Sequence, residues 1–364
     1  MFTAGRPALI INTGMMEKLR LGFVGAGSMG QTAHLKNYAV LPDCEVVAVA
    51  ELREKLGQAV ASRYGIRHVY RDHHQLLARE KLDALIVSQP FRRHGQLLPE
   101  LLPAGIPIFI EKPLAASVPT GEAIVAALGQ SKTWLMVGYH KRCDPAVEAA
   151  QQEIQRLKKT GEAGRLQYVR LTMPPGDWIA GGFDDLIKTE EPVPPLPLDG
   201  PPPDLNEPAW QEYLTLVNYY IHQINLMRFL LAEPYRVTYA HPSGKLMVVE
   251  SESGVPGIIE MAPYTASSTW QETALVCFQH GYLKIDLPPP LAMNRPGNLE
   301  IFLDIPGQKG LTVKPQLPPV HAMRRQAENF LKAVRGEGEI VCPAEEALQD
   351  LVVAREYLRL LRGV

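Results

Sequence analysis

Two rhythms of apolar and polar positions divide the chain. In the first stretch, short apolar runs at 21–24, 45–50, 82–88, 106–110 and 133–137 alternate with helical spacings at 31–41, 53–64, 72–79, 94–104 and 117–130, and Val69 marks one further short strand. Runs that stay apolar without alternating read as strands buried on both faces. Strand and helix taking turns at this spacing predict a parallel, doubly wound sheet. Beyond about residue 142 the rhythm changes. A polar helix over 145–160 precedes β-rich runs at 166–173, 236–241, 245–252, 256–262, 273–279, 282–287 and 299–304. Turn residues such as Pro242-Ser243-Gly244 and His280-Gly281 separate consecutive runs, which predicts a mainly antiparallel sheet. One helix is expected at 209–232, between the first two of these runs, and two more close the chain at 320–335 and 343–362. The expected fold is therefore α/β. An extension (1–16) precedes a doubly wound domain (17–141), and an α+β domain follows (142–364), built on a large open sheet whose face or edge suits a homodimer or homotetramer.

One stretch obeys neither rhythm. Residues 174–208 hold ten prolines, and Pro192-Val193-Pro194-Pro195-Leu196-Pro197 and Pro201-Pro202-Pro203 can join neither a helix nor a central strand. Structureless loops of this length are functional covers or links. Asp177-Trp178 and Gly181-Gly182-Phe183 make its first part the expected substrate contact.

Composition narrows the function classes. An apolar fraction of 46%, a charged fraction of 21% and a formal net charge of −2 describe an ordinary globular chain. They give no electrostatic case for nucleic acid or an anionic membrane surface. No apolar run approaches the ~20 residues of a spanning helix, and the patch Ala8-Leu9-Ile10-Ile11 is too short for a signal segment. Cys44, Cys143, Cys277 and Cys342 show no paired spacing, so neither a zinc site nor a disulfide framework is expected. A cytoplasmic protein with free thiols and no metal follows as the expectation.

The chemistry starts where the first strand meets the first helix, at Gly25-Ala26-Gly27-Ser28-Met29-Gly30. In such a turn the first glycine permits the bend, the second lets a pyrophosphate approach the backbone, and the third lets helix pack on strand. The phosphates would then meet free N–H groups at a helix N-terminus. Alone this pattern is weak, because glycines fill many loops. The second strand ends at Glu51, about 20 residues further on, where a carboxylate accepts hydrogen bonds from a ribose and repels a 2′-phosphate. NAD is the expected cofactor, and Arg53 keeps NADP open.

Further on, Pro90-x-x-x-His94, Glu111-Lys112-Pro113-Leu114-Ala115, Gly138-Tyr139-His140-Lys141-Arg142 and a helix bearing His222 follow the glycine turn, His34 and Glu51. With these residues, 17–364 resembles the glucose–fructose oxidoreductase, inositol dehydrogenase and rhizopine-catabolism (Gfo/Idh/MocA) family. The resemblance implies a nicotinamide cofactor along the parallel sheet's C-terminal edge, held by Gly25 to Gly30, Glu51, Gln89, Pro90, His94, Glu111 and Lys112. It also implies a sugar, cyclitol or related polyol between the nicotinamide and the second domain, touched by Tyr139, His140, Arg142, Trp178, Asn218 and His222. Arg142 has a rival reading, a junction pin paired with Asp144. The family's lysine falls on Lys112, where an ammonium would stabilise a developing alkoxide. Its Asp-x-x-x-His pair falls on Asn218 and His222, so the histidine is kept and the carboxylate is not. Asn218 can orient a hydroxyl or the imidazole but carries no charge, and His222 loses a neighbour that would raise its pKa.

The expected activity is thus an NAD(P)-dependent dehydrogenase or reductase of a C–OH/C=O pair. Two enzymatic alternatives are transient oxidation by tightly held NAD, leading to elimination, epimerisation or glycoside cleavage, and reduction of a non-sugar imine or conjugated substrate. A nucleotide-binding sensor without catalysis, supported only by Asn218, is a third.

Overall fold

The computed structural model describes residues 17–363, so the expected extension over 1–16 lies outside the described residues. The parallel sheet contains β1 (Leu19–Val24), β2 (Cys44–Ala50), β3 (His68–Tyr70), β4 (Ala84–Val87), β5 (Ile108–Ile110) and β6 (Leu135–Val137) in the order β3-β2-β1-β4-β5-β6. Leu21, Phe23, Ile86, Phe109 and Met136 are fully buried, as central parallel strands require. Each such side chain contributes about 1.5–3 kcal/mol of transfer free energy. The order reverses between β1 and β4, which opens a crevice at their C-terminal ends beside the glycine turn. Helices α1 (Lys36–Tyr38), α2 (Glu54–Tyr64), α3 (His73–Arg79), α4 (His94–Leu101) and α5 (Val118–Gly129) make the crossovers. The first of them opens as a π-helix over Gly30–Leu35, where a regular α-helix over 31–41 was expected. Among the described residues no helix is long and apolar enough to cross a membrane.

After α6 (Pro145–Thr160) comes an eight-stranded sheet in the order β14-β13-β12-β11-β7-β10-β9-β8. It comprises β7 (Leu166–Met173), β8 (Tyr235–Ala240), β9 (Leu246–Ser251), β10 (Pro256–Met261), β11 (Glu272–Phe278), β12 (Gly281–Leu287), β13 (Asn298–Leu303) and β14 (Leu311–Val313). Only β7 and β10 pair in parallel. Burial alternates strictly along β9 and β11, so one face is core and the other half-exposed. The short exposed β14 carries too little apolar signal to be seen in the sequence.

Two expectations change. The helix expected over 209–232 is two helices, α7 (Glu207–Tyr219) and α8 (Ile221–Leu231), broken at Tyr220. The closing helices α9 (Ala322–Val334) and α10 (Ala344–Arg362), assigned by sequence order to the second domain, also reach the first, and α10 packs on β8, α7 and α8 as well. Phe330 of α9 packs edge-on to Phe109 and Trp134, and α10 lies along α5. The amphipathic faces of these helices require an apolar partner but do not name it. The parallel sheet, left bare on that side by its own crossovers, supplies the partner.

Candidate active site

The glycine turn has the shape its spacing implies. Gly25 has φ +97°, a conformation that side chains rarely adopt, and a Cβ there would strike the Ser88 carbonyl oxygen and the Gln89 amide. A Cβ on Gly30 would stand 2.6 Å from the Gly25 carbonyl oxygen, so helix and strand could not close. Gly27 is different: a Cβ there meets nothing within 4 Å. No neighbour in the protein requires that glycine, and the space beside it suits a pyrophosphate. Ser28 and Pro90 are exposed on either side and Gly27 is half-buried, so the crevice is open. Glu51 lies buried at the end of β2 and accepts hydrogen bonds from the Ala26 N–H (2.9 Å) and the Arg53 Nε (2.8 Å). Its charge stands where an adenosine ribose would lie, and the cradle fits a dinucleotide.

Behind the turn, His34 Nε2 and Glu111 Oε1 are 2.6 Å apart in a buried pair. Burial pushes the Glu111 carboxyl up, but its bonds to His34 and its neighbourhood with Lys112 prevail and hold it below the ordinary value. Glu111 also accepts from the Lys112 backbone N–H, and the Lys112–Pro113 bond is cis. Glu111 therefore orients the chain at Lys112. His94, expected to touch the cofactor, is completely buried, with Nδ1 3.1 Å from the carbonyl oxygens of Pro113 and Leu114. Its place is under the Glu-Lys-Pro turn, which it supports. Gln89 is held by Arg93 Nη1, and Arg92 binds the Asp199 carbonyl oxygen, so neither arginine is simply solvated.

The Lys112 ammonium donates to the Asn218 carbonyl oxygen at 2.7 Å. That carbonyl is available because α7 ends at Tyr219, so the break at Tyr220 is what docks the lysine. Asn218 thus reaches Lys112 through its backbone, while the residue itself is exposed, and Asn218 and His222, expected within one helix, lie on either side of the break at Tyr220. Burial, opposed by Glu111 and assisted by Lys141, lowers the Lys112 pKa from 10.5. His222 lies nearby, its ring 4.6 Å from that of His140 and 6.0 Å edge-on from that of Tyr139. Burial first, then the charges of Lys112, His140 and Lys141, push its pKa well below 6.5. The imidazole is neutral near pH 7, and its Nδ1 is buried without a protein partner.

The structure moves other expected contacts. Arg142 gives its Nε to Asn225 Oδ1 (2.7 Å) and its Nη1 to Glu346 (2.6 Å) and the Val341 carbonyl oxygen. It is a junction pin, but not through Asp144, whose carboxylate caps α6 and accepts from the Gly297 N–H. The correction has a plain cause: α10, distant in sequence, brings Glu346 to the guanidinium. Trp178 stacks edge-on to Phe183 and, like Met29 of the glycine turn, packs against the cluster of Ala33, Leu291 and Met323. Tyr139 and His140 are almost wholly buried behind His222, so they shape its pocket from within. One cluster was missed altogether. Lys141 is buried against Glu272, which also accepts from Gln223 Nε2 (2.7 Å) and Trp270 Nε1 (3.2 Å). No local pattern reveals it, because its members come from three separate places in the chain. A cavity of about 1550 Å³, lined by Arg142, Arg228, Glu346 and others, holds neither Lys112 nor His222.

Residues 19–139 match the profile of an oxidoreductase family with an NAD-binding Rossmann fold. The chain is 30% identical over 172 residues to inositol 2-dehydrogenase of Rhizobium meliloti, an alignment covering 45% of this chain and 50% of that one. It spans about half the length of most of the curated relatives it matches. Among solved structures, a putative NADPH-dependent oxidoreductase from Desulfitobacterium hafniense superposes with a TM-score of 0.76 at 18% identity, over 96% of this chain and 97% of that one. Levoglucosan dehydrogenase in complex with NADH does so at 0.72 and 18%, over 95% and 98%. At these identities the two structures show a shared two-domain fold.

Proposed function

We propose, from the match of residues 19–139 to the Gfo/Idh/MocA oxidoreductase profile, that the protein moves hydride between a nicotinamide and a C–OH/C=O pair of a sugar, cyclitol or related polyol. The observation that carries the reading is the Lys112 ammonium docked on the Asn218 carbonyl at the helix break that immediately precedes His222, behind the open glycine turn. The dinucleotide supplies the hydride acceptor or donor. Gly25 to Gly30 would cradle its pyrophosphate and Glu51 would receive its ribose. In oxidation, neutral His222 accepts the hydroxyl proton on its imidazole, without the carboxylate at position 218 that would raise its pKa. The Lys112 ammonium, oriented by Glu111 and held on the Asn218 carbonyl, stabilises the oxygen as charge develops. Tyr139 and His140 exclude water from the back of the imidazole. The inositol dehydrogenases among the relatives favour a cyclitol or sugar.

A second reading is favoured by one observation. The loop after β7 is fastened across the crevice rim, as Gln31 and Ile187 exchange two hydrogen bonds of 3.1 and 3.0 Å. A strap of this type suits a dinucleotide that stays bound through transient oxidation. Assembly through the half-exposed outer face of the large sheet, where Val248, Ile258 and Leu275 lie, belongs to the same proposal. The test is a screen of polyols and their keto forms followed at the nicotinamide absorbance. Lys112→Ala and His222→Ala each lose roughly 10²–10⁴-fold in turnover with NAD affinity kept. Normal turnover by either variant refutes the assigned roles.

A further inference from the structure

We infer that Glu191, carried on the proline-rich strap, is a specificity determinant that excludes a dinucleotide bearing a 2′-phosphate. The inference rests on the reading that a dinucleotide lies along the glycine turn with its adenosine ribose at Glu51.

Helix α2 starts just past Glu51, and its first turn rides on that residue: a Cβ on Gly57 would stand 3.4 Å from Glu51 Cβ. Two features here could receive a 2′-phosphate, namely the Arg53 guanidinium and the free N–H groups of the first helical turn. Both are already taken by carboxylates. Glu51 Oε1 accepts from the Arg53 Nε at 2.8 Å. The N-cap residue Arg53 offers no side-chain cap of its own, whereas α3, α5, α6 and α7 are each capped locally by Asp72, Ser117, Asp144 and Asn206. Instead Glu191, far away in sequence, accepts from the backbone N–H groups of Lys55 and Leu56 at 3.1 Å each, and Thr189 Oγ1 steadies it at 3.3 Å.

The strap cannot easily lift this carboxylate away, for it is tied on both sides. Upstream, Ile187 is bonded to Gln31 and Asp185 to Lys36 (3.0 Å). Downstream, buried Asp199 accepts from the Gly95 N–H and from Gln96 Nε2, each at 3.2 Å, at the start of α4. Glu51 alone leaves Arg53 and the turn of α2 within reach of a phosphate if the side chains rotate. With Glu191 seated, a 2′-phosphate would have to enter between two carboxylates and displace one of them. A ribose with a free 2′-hydroxyl meets no such conflict.

The test measures NADH and NADPH binding to the full-length protein by quenching of its tryptophan fluorescence, for the wild type, Glu191→Gln and Glu191→Ala, at two ionic strengths. Thermal melting of each variant establishes folding. The expected result is a rise of about tenfold in NADPH affinity relative to NADH affinity in both variants, smaller at high salt, as loss of one nearby negative charge implies. An unchanged ratio in both folded variants, with NADH still bound, overturns the role of Glu191 alone. Failure of the wild type to bind NADH overturns the dinucleotide reading and this inference with it.

Discussion

Replacing Gly27 by alanine separates the fold's demands from the ligand's. The added methyl meets no protein atom within 4 Å, and Gly27 is not among the glycines with positive φ. Alanine should therefore leave the unliganded protein unharmed, or stabilise it by about 0.4–1 kcal/mol through a less flexible unfolded chain. The same methyl stands where the pyrophosphate must approach the backbone. Suppose it weakens NAD binding a hundredfold. With NAD at 100 times the wild-type Kd, the wild type gains about 2.7 kcal/mol from the ligand, whereas the variant gains only about 0.4 kcal/mol. At roughly 2–4 °C per kcal/mol for a chain of this size, the wild type's melting temperature rises roughly 5–10 °C with NAD and the variant's about 1 °C. Gly25→Ala is the contrasting control. Its φ of +97° and the clash with Ser88 cost about 1–3 kcal/mol or more, so it melts lower even without ligand. Calorimetric melting with and without NAD reads both effects. A Gly27→Ala protein whose ligand shift equals the wild type's refutes the cradle and moves the dinucleotide elsewhere.

Three further outcomes follow from the same geometry. His222 and His140 are both held neutral by burial, with pKa values well below 6.5, so the unfolded state takes up more protons below that pH. Stability is then fully present above pH 6.5 and is lost as pH falls through and below it, and denaturant titrations at pH 7.5 and 5.5 measure the loss; a flat profile contradicts it. For the same reason, the acid limb of kcat/KM for oxidation should lie below pH 6.5 in a pH–rate series. Lys141→Met strands buried Glu272 without its cation and should cost about 3–5 kcal/mol of stability, whereas Lys141→Met with Glu272→Gln should recover much of it; a double-mutant cycle in urea decides.

Much of this site was legible before any coordinates. Short apolar runs and their spacing determine β1, β2, β4, β5 and β6, because a strand buried on both faces must be continuously apolar, whereas the half-exposed edge strand β3 shows only Val69. The glycine turn and Glu51 follow from local backbone and charge requirements, and Lys112 from its place at a strand end. What the chain's order alone could not decide was everything that depends on distant partners. Arg142 was open between substrate and junction until α10 brought Glu346 to it. His94 carries no sign of its burial, and the Lys141–Glu272 pair has none of its own spacing. The break at Tyr220, invisible in an unbroken apolar pattern, turned Asn218 from a side-chain contact into a backbone one. The proline-rich stretch was recognisable as neither helix nor strand, but its path over the crevice was set by Gln31, α2 and α4. Periodicity and glycine geometry are properties of neighbours along the chain, so the sequence states them outright. A side chain's function depends on what faces it, and only packing chooses that.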